Sequence, residues 1–266
     1  MGGMLVGVLC VRAVCGPHDW IAPMGAARAA IVTGASSGIG LAVARMLGTR
    51  GHGVTLVARR PEKLDEAYEQ LRGEGLEVQQ VAADVGDEAD VIRAVAAHRD
   101  AYGRLDVLVN NAGVGIGAPI GELSTKQMDI QLATNLRAIP LFYRESLAML
   151  TAAGAEHRNA IVVNTASIAG KHGQAWLSIY SATKFGVVGF TQAMNKELNE
   201  RGIKSTALCP GFVDTPMTDF VKDQVPPEEM IQTSDIVAAV EMLLSLTPGC
   251  VLPEVVFERP RGGSLT

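Results

Sequence analysis

From residue 27 onward, the chain alternates short apolar runs, rich in β-branched residues, with longer stretches of helical periodicity. The runs that we predict as strands are AAIVT (29–33), GVTLVA (53–58), EVQQVAADV (77–85), LDVLVNNAG (105–113), AIVVNTAS (160–167), IKSTALCPG (203–211) and EVVFE (254–258). The stretches that we predict as helices are 39–51, 62–73, 87–103, 124–136, 137–153, 178 to about 200, and 234–246. Strands alternating with amphipathic helices predict a parallel sheet with helices on both faces. We therefore expect a single doubly wound, Rossmann-like α/β domain with about seven strands.

Composition excludes some classes of protein. With 266 residues and 48% hydrophobic content, the chain can bury one large core. A net charge of −5 argues against a nucleic-acid-binding protein, which would carry a basic patch. The spacing of the four cysteines fits neither a metal site nor a disulfide framework. We expect no metal and a reducing, cytoplasmic setting.

The N-terminus has a different character from the rest of the chain. Its apolar run, Met4 to Val11, is too short to span a bilayer, and no basic region precedes it as in a signal peptide. We expect no membrane span. We interpret residues 1–27 as a peripheral extension and residues 28–266 as the folded domain.

Ligands of such folds bind beyond the carboxyl ends of the strands, where this chain carries glycine-rich and polar segments. The first, TGASSGIG, holds Gly34, Gly38 and Gly40 in a G-x-x-x-G-x-G pattern. Glycines let the backbone approach a pyrophosphate, and the helix that follows points its N–H groups at the phosphates. A glycine-rich turn can also be only a turn, but one between a strand and a helix favours phosphate binding. The other candidate residues here are Ser36, Ser37 and Ile39.

Arg59 and Arg60 follow the second strand, where NAD-specific proteins carry an acidic residue for the ribose 2′-hydroxyl. Two guanidinium groups suit a 2′-phosphate by charge and by bidentate geometry. The alternative is a solvated pair at a helix start, where the helix dipole disfavours arginine. We therefore expect NADP(H) rather than NAD(H).

The third strand is followed by Asp84 and Val85, which we expect to flank an adenine. The Asp84 carboxylate would accept from the adenine amine or, alternatively, cap the helix that starts at residue 87. Later in the chain, Tyr180 and Lys184 stand four positions apart, so that they share one helix face. Alone, such a pair is usually an ordinary surface pair. Here its helix starts beside the same crevice as the other strand-end segments.

Taken together, TGASSGIG, NNAG (110–113), Asn135, Ser167, YSATK (180–184) and PG (210–211) resemble the short-chain dehydrogenase/reductase family. The resemblance is to its short, single-domain branch, and it runs from about residue 28 to residue 258. It implies that residues 28–266 are the dinucleotide-binding and catalytic domain. It implies hydride transfer between a nicotinamide and a carbonyl or secondary alcohol. Tyr180 would act as general acid or base.

The resemblance assigns roles to further residues. Lys184 would favour the phenolate and hold the nicotinamide ribose, Ser167 would orient the substrate oxygen, and Asn135 would hold a water of a proton relay. It also implies assembly into a homodimer or homotetramer. The other cofactor-lining positions it implies are Asn110, Asn111, Ala112, Gly113, Pro210, Gly211, Val213 and Thr215.

Substrate choice should come from residues 168–178 and from a substrate loop, residues 212–233. Within the loop, residues 216–230 lack a strong element signal and are typical of a mobile lid. His172 is expected to be an ordinary loop residue. The apolar side chains here either wall a pocket for an apolar carbonyl substrate or belong to the core: Trp176, Leu177, Phe212, Met217 and Phe220.

Two other functions compete with the oxidoreductase. One is a nucleotide-binding regulatory or interaction protein without turnover, which has no need of the complete set Asn135, Ser167, Tyr180 and Lys184. The other is a methyltransferase on a related sheet, whose ligand does not suit the arginines after the second strand. The sequence does not name the substrate.

Overall fold

The computed structural model describes residues 28–260. The expected N-terminal extension, residues 1–27, lies outside the described residues, as does the end of the expected domain at 261–266.

The described residues form a single seven-stranded sheet in which every pairing is parallel. Its strand order is β3-β2-β1-β4-β5-β6-β7, so the direction of winding reverses between β1 and β4. In open α/β sheets the ligand crevice lies at this reversal, outside the carboxyl ends of the strands. The strands are β1 (Arg28–Thr33), β2 (His52–Ala58), β3 (Val78–Ala82), β4 (Val107–Asn110), β5 (Ala160–Thr165), β6 (Ile203–Pro210) and β7 (Glu254–Phe257).

Helices cover both faces of the sheet, which confirms the predicted doubly wound fold. They are α1 (Gly38–Thr49), α2 (Pro61–Gly73), α3 (Glu88–Tyr102), α4 (Thr125–Leu132), α5 (Ala138–His157), α6 (Ser178–Leu198) and α7 (Thr233–Ser245). One core cluster joins the sheet to α3, α5 and α6, with Phe142 fully buried at its centre. The other joins it to α1, α2 and α7 through residues such as Leu47 and Val240. Near-continuous apolar strands are what burial on both faces requires.

The predicted break between helices 124–136 and 137–153 is wrong. The chain stays helical from Thr125 to His157, with a π-helical turn over Ala133–Arg137 between α4 and α5. Asn135 lies in this turn, and its side chain exchanges two hydrogen bonds with the backbone of Val114. A single π-turn inside an α-helix is frequent at functional sites.

Several strands end earlier than their apolar pattern predicted. The strands expected to reach residues 85, 113 and 167 end at Ala82, Asn110 and Thr165. The residues beyond these ends form turns and loops at the crevice.

The expected substrate loop, residues 212–233, has more local structure than its sequence indicated. It contains 3₁₀ turns at Pro216–Val221 and Pro227–Glu229, and its interior residues Val221, Val225 and Met230 pack together. Within residues 28–260, no helix is both long and apolar enough to cross a bilayer.

Candidate active site

The glycine-rich loop lies against two other strand-end loops. A Cβ atom added to Gly34 would come within 3.0 Å of Ala112, and one added to Gly38 within 3.0 Å of Thr215. Both glycines have positive φ, 67° and 55°, a conformation that L side chains rarely adopt. The ends of β1, β4 and β6 therefore meet at the crevice.

The N-terminus of α1 fits a phosphate group. Its N-cap residue, Ser37, makes no side-chain capping hydrogen bond, and the first turn carries no acidic residue. Helix N-terminal amides without an intrahelical partner bind anions well. Gly40 packs so closely on Gly34 that a Cβ would lie 2.3 Å from the carbonyl oxygen, which keeps the helix tight against the loop.

Arg59 and Arg60 follow β2 directly, and both side chains are exposed. Neither forms an ion pair with any residue between 28 and 260. Two free guanidinium groups beside the crevice are compatible with a phosphate on the ribose.

The third strand end settles one of the alternatives left open by the sequence. Asp87, not Asp84, caps α3, because its carboxylate accepts the Asp90 N–H at 3.1 Å. The Asp84 carboxylate accepts the Gly86 N–H at 2.9 Å and remains partly exposed, while Val85 beside it is buried. The helix-capping alternative for Asp84 is therefore wrong.

Ser167 and Tyr180 lie close together at the crevice, near enough for the serine hydroxyl to affect the pKa of the phenol. Ser167 lies two residues beyond β5, where its hydroxyl oxygen accepts the Ala169 N–H at 3.1 Å. Tyr180 is in the first turn of α6. Burial raises the pKa of Tyr180, and the neighbouring Ser167 hydroxyl only partly opposes this shift. The phenol is therefore held in its neutral form, which can donate a proton.

Lys184 lies one turn along α6 and is almost fully buried. Its Nζ donates to the carbonyl oxygen of Thr165 at 2.7 Å and lies 5.6 Å from the centre of the Tyr180 ring. Burial lowers the pKa of this ammonium group to about 8. A Cβ at Gly113 would lie 3.6 Å from Nζ, so the loop after β4 passes directly over the lysine.

Asn135 belongs to the same cluster. Its side-chain oxygen accepts the Val114 N–H and its side-chain nitrogen donates to the Val114 carbonyl, both at 2.8 Å. It also donates to Thr183 Oγ1 on α6 at 3.3 Å. Asn135 thereby ties the π-helical turn to the loop after β4 and to the helix that carries Tyr180.

The remaining expected positions line the same edge of the sheet. Gly211 donates its N–H to the carbonyl oxygen of Phe257 at 3.0 Å, which fixes the chain where it leaves β6. Val213 is buried and pairs with Ile231 in an isolated parallel bridge. The strand ends at which the sequence predicted contacts with a dinucleotide therefore all lie at this edge of the sheet.

Sequence reasoning gave no role to Thr33 or Asn164. The hydroxyl oxygen of Thr33 accepts the N–H groups of Asn111 and Ala112 at 2.9 and 3.0 Å, which joins the first and fourth strand ends. Asn164 is buried in β5 and accepts from Asn110 Nδ2 at 2.9 Å. The sequence did contain a signal for Asn164, because a polar residue inside an otherwise apolar strand indicates a buried hydrogen bond.

The apolar side chains near the crevice divide into two groups. Trp176 and Phe220 are each 72% exposed and Met217 is 51% exposed, so these three are not core residues. Phe212 is partly buried against the loop residues Val221, Val225 and Met230, and Leu177 is also partly buried. His172 is an exposed loop residue, in line with its sequence context.

Residues 28–226 match the family model described as short chain dehydrogenase. The chain belongs to the short-chain dehydrogenase/reductase family. It is thus an oxidoreductase of the NAD(P)-dependent class that acts on CH–OH and carbonyl groups.

Curated relatives in this family include reductases and dehydrogenases. A Streptomyces virginiae protein named as a ketoacyl reductase of the monensin polyketide synthase is 45% identical over 196 residues, covering 73% of this chain and 74% of that protein. The 2-(R)-hydroxypropyl-CoM dehydrogenase of Xanthobacter autotrophicus is 37% identical, covering 82% of this chain and 91% of that enzyme.

Solved structures of family members have the same fold. A variant of actinorhodin polyketide ketoreductase with NADPH matches with a TM-score of 0.78 at 35% identity, covering 86% of this chain and 94% of that chain. The 3-ketoacyl-(acyl-carrier-protein) reductase from Brucella melitensis, complexed with NADH, matches with a TM-score of 0.79 at 28% identity, covering 87% and 96%. Family members therefore occur with either nicotinamide cofactor.

Proposed function

We propose that this short-chain dehydrogenase/reductase uses NADP(H) to interconvert a carbonyl and a secondary alcohol, with Tyr180 as general acid or base. The observation that carries the proposal is the buried Lys184, whose Nζ lies 5.6 Å from the centre of the Tyr180 ring, with the Ser167 hydroxyl close to the same phenol. A proton donor, a second hydroxyl and a cation thus converge at one point of the crevice.

When bound, the nicotinamide supplies or accepts the hydride. In the reductive direction, Tyr180 donates its phenolic proton to the carbonyl oxygen as that oxygen becomes an alkoxide. Ser167 hydrogen-bonds the same oxygen and orients the carbonyl. The positive charge of Lys184 stabilises the phenolate that remains. Asn135 holds the neighbouring loop and the water through which the proton is replaced.

The glycine-rich loop and the N-terminus of α1 would hold the cofactor's phosphates. Arg59 and Arg60 would bind a 2′-phosphate, and Asp84 would accept from the adenine amine. Lys184, the loop after β4 and the turn after β6 would hold the nicotinamide end; the loop and turn residues are Asn111, Ala112, Gly113, Pro210, Gly211, Val213 and Thr215.

We infer that the substrate is a small molecule with an apolar body. Trp176, Met217 and Phe220 are exposed apolar side chains on the two segments expected to choose the substrate, and exposed apolar surface of this kind can mark a binding site. Relatives named as ketoacyl reductases and as 2-(R)-hydroxypropyl-CoM dehydrogenase support a carbonyl or alcohol group as the reacting function.

We also propose that the protein is a cytoplasmic homodimer or homotetramer. Light scattering after size-exclusion chromatography can test the oligomeric state.

The test is a panel of ketones and aldehydes, with NADPH consumption followed by its near-ultraviolet absorbance. Tyr180→Phe keeps the ring but removes the proton, so turnover should fall by at least ~100-fold while NADP(H) binding changes little. Tyr68→Phe, on α2, is the matched control and should keep wild-type turnover. A Tyr180→Phe enzyme with nearly wild-type turnover would show that Tyr180 is not the acid.

A further inference from the structure

One ion pair joins the turn that carries Ser167 to the last strand of the sheet. Lys171 Nζ lies 2.9 Å from one carboxylate oxygen of Glu254 and 3.0 Å from the other. The two residues are 83 positions apart in the chain. Lys171 follows the short 3₁₀ turn Ile168–Gly170, and Glu254 is the first residue of β7.

The turn between Ser167 and Lys171 is compact, so its two ends move together. The Gly170 N–H donates to the Ser167 carbonyl at 2.8 Å, and the Lys171 N–H donates to the Ile168 carbonyl at 2.9 Å. On its α6 side the turn is fixed by close packing, because a Cβ at Gly170 would lie 2.7 Å from the carbonyl oxygen of Lys184. Lys171 provides an attachment on a second side, toward β7.

The pair is partly shielded from water. The side chain of Glu254 is 18% exposed and that of Lys171 is 34% exposed, and the carboxylate raises the pKa of the lysine. Shielded charges are screened less by solvent and salt than fully exposed ones. Removing either partner would leave the other charge partly buried and unpaired.

Cys209 lies beside the same region. This fully buried cysteine is in β6 and pairs with Val256 of β7. The Ser167 hydroxyl lies 3.4 Å from the carbonyl oxygen of Pro210, the next residue of β6. Ser167 therefore contacts β6, and the ion pair connects the other end of its turn to β7, the next strand.

We propose that Lys171 and Glu254 are positioning residues for Ser167, acting through the 3₁₀ turn that joins Ser167 to Lys171. The inference rests on the proposed function, in which Ser167 orients the carbonyl oxygen. Small displacements of an orienting group reduce the rate of the chemical step more than they reduce binding.

The test compares four enzymes with a carbonyl that the wild type reduces: wild type, Lys171→Met, Lys171→Arg and Glu254→Gln. Loss of the pair in Lys171→Met and Glu254→Gln should lower kcat roughly 10-fold with little change in the Kd for NADP(H). Lys171→Arg, which keeps the charge and can bind both carboxylate oxygens, should restore most of kcat. Glu74→Gln, which breaks the Arg45–Glu74 pair away from the crevice, is the control and should leave kcat unchanged.

A double-mutant cycle separates positioning from a general structural effect. If the pair acts through Ser167, adding Lys171→Met to Ser167→Ala should cause little further loss of kcat. Losses that multiply instead, or a wild-type kcat in both Lys171→Met and Glu254→Gln, would overturn the inference and leave the proposed function standing. A wild type that reduces no carbonyl would overturn the proposed function, and this inference with it.

Discussion

At the scale of single residues, the chemistry depends on where charges are buried and where they are left exposed. Lys184 is an ammonium group in a buried position, and its only hydrogen-bond partner among the described residues is the carbonyl oxygen of Thr165. Arg59 and Arg60 are exposed and have no ion-pair partner within residues 28–260. The buried Lys184 suits a role beside the reacting atoms. The exposed Arg59 and Arg60 suit the binding of a negatively charged ligand.

Cofactor preference should therefore depend on Arg59. Hydrogen bonds to charged groups contribute about 1.5–3 kcal/mol. At about 1.4 kcal/mol per tenfold change, one such contact corresponds to roughly a 10- to 100-fold preference for NADP over NAD. Solvent exposure of the arginine should keep the preference near the lower value.

The measurement is a titration of both cofactors into wild type, Arg59→Asp and Arg201→Asp, each at two salt concentrations. Wild type should prefer NADP, more strongly at low salt, and Arg59→Asp should lose or reverse that preference. Arg201→Asp, an exposed arginine after α6, should behave as wild type. Equal affinities or tighter NAD binding in wild type would disprove the assignment of NADP without affecting the fold.

At the scale of helices and strands, close backbone approach decides which small residues are required. Gly154 on α5 faces the turn after α6, and an added Cβ would lie 2.2 Å from the carbonyl oxygen of Arg201. Gly189 on α6 has no atom of the described chain within 4 Å of the same position. Both glycines lie in helices, but Gly154 is tightly packed against backbone atoms and Gly189 is open.

Alanine should therefore have opposite effects at the two sites. Gly154→Ala should lower the free energy of unfolding by about 1–3 kcal/mol, because the turn after α6 has to move away. Gly189→Ala should raise it by about 0.4–1 kcal/mol, because alanine favours a helix and reduces the freedom of the unfolded chain. Urea denaturation of both variants gives the two values, and a destabilised Gly189→Ala would indicate that this face of α6 packs against another subunit.

At the scale of the whole molecule, a buried histidine on α3 links that helix to β2. His98 is fully buried, with Nε2 at 2.9 Å from the Arg104 carbonyl oxygen and Nδ1 at 2.6 Å from Thr55 Oγ1. In the neutral ring, Nε2 donates to the carbonyl and Nδ1 accepts from the threonine hydroxyl. Burial lowers the pKa of His98 to about 4.

This histidine should make the fold sensitive to acid. Below its ordinary pKa of about 6.5, the unfolded chain binds a proton that the folded chain does not bind until about pH 4. Stability should therefore fall as the pH falls through this window, by at most ~1.4 kcal/mol per pH unit from this one group. Imidazole NMR signals should show His98 still neutral at about pH 5; titration near its ordinary pKa would contradict the prediction.

The order of elements and the residues at the strand ends could be predicted from the sequence. Period-2 and period-3.6 patterns and glycine punctuation are local properties, so seven strands, the glycine-rich loop and the Tyr180–Lys184 pair could all be recognised along the chain. The candidate residues Ser167 and Asn135 were recognised as well, because they belong to a set with family-specific spacing.

Only the tertiary structure decided how these residues meet. The π-helical turn at Asn135 depends on bonds to Val114, 21 positions away, and the Lys184 bond to Thr165 spans 19 positions. The ion pair between Lys171 and Glu254 joins segments that carry no sequence signal of proximity. Local pattern determines which element a residue joins, whereas burial, pKa and hydrogen-bond partners depend on which strands become neighbours, and that is fixed only when the sheet assembles.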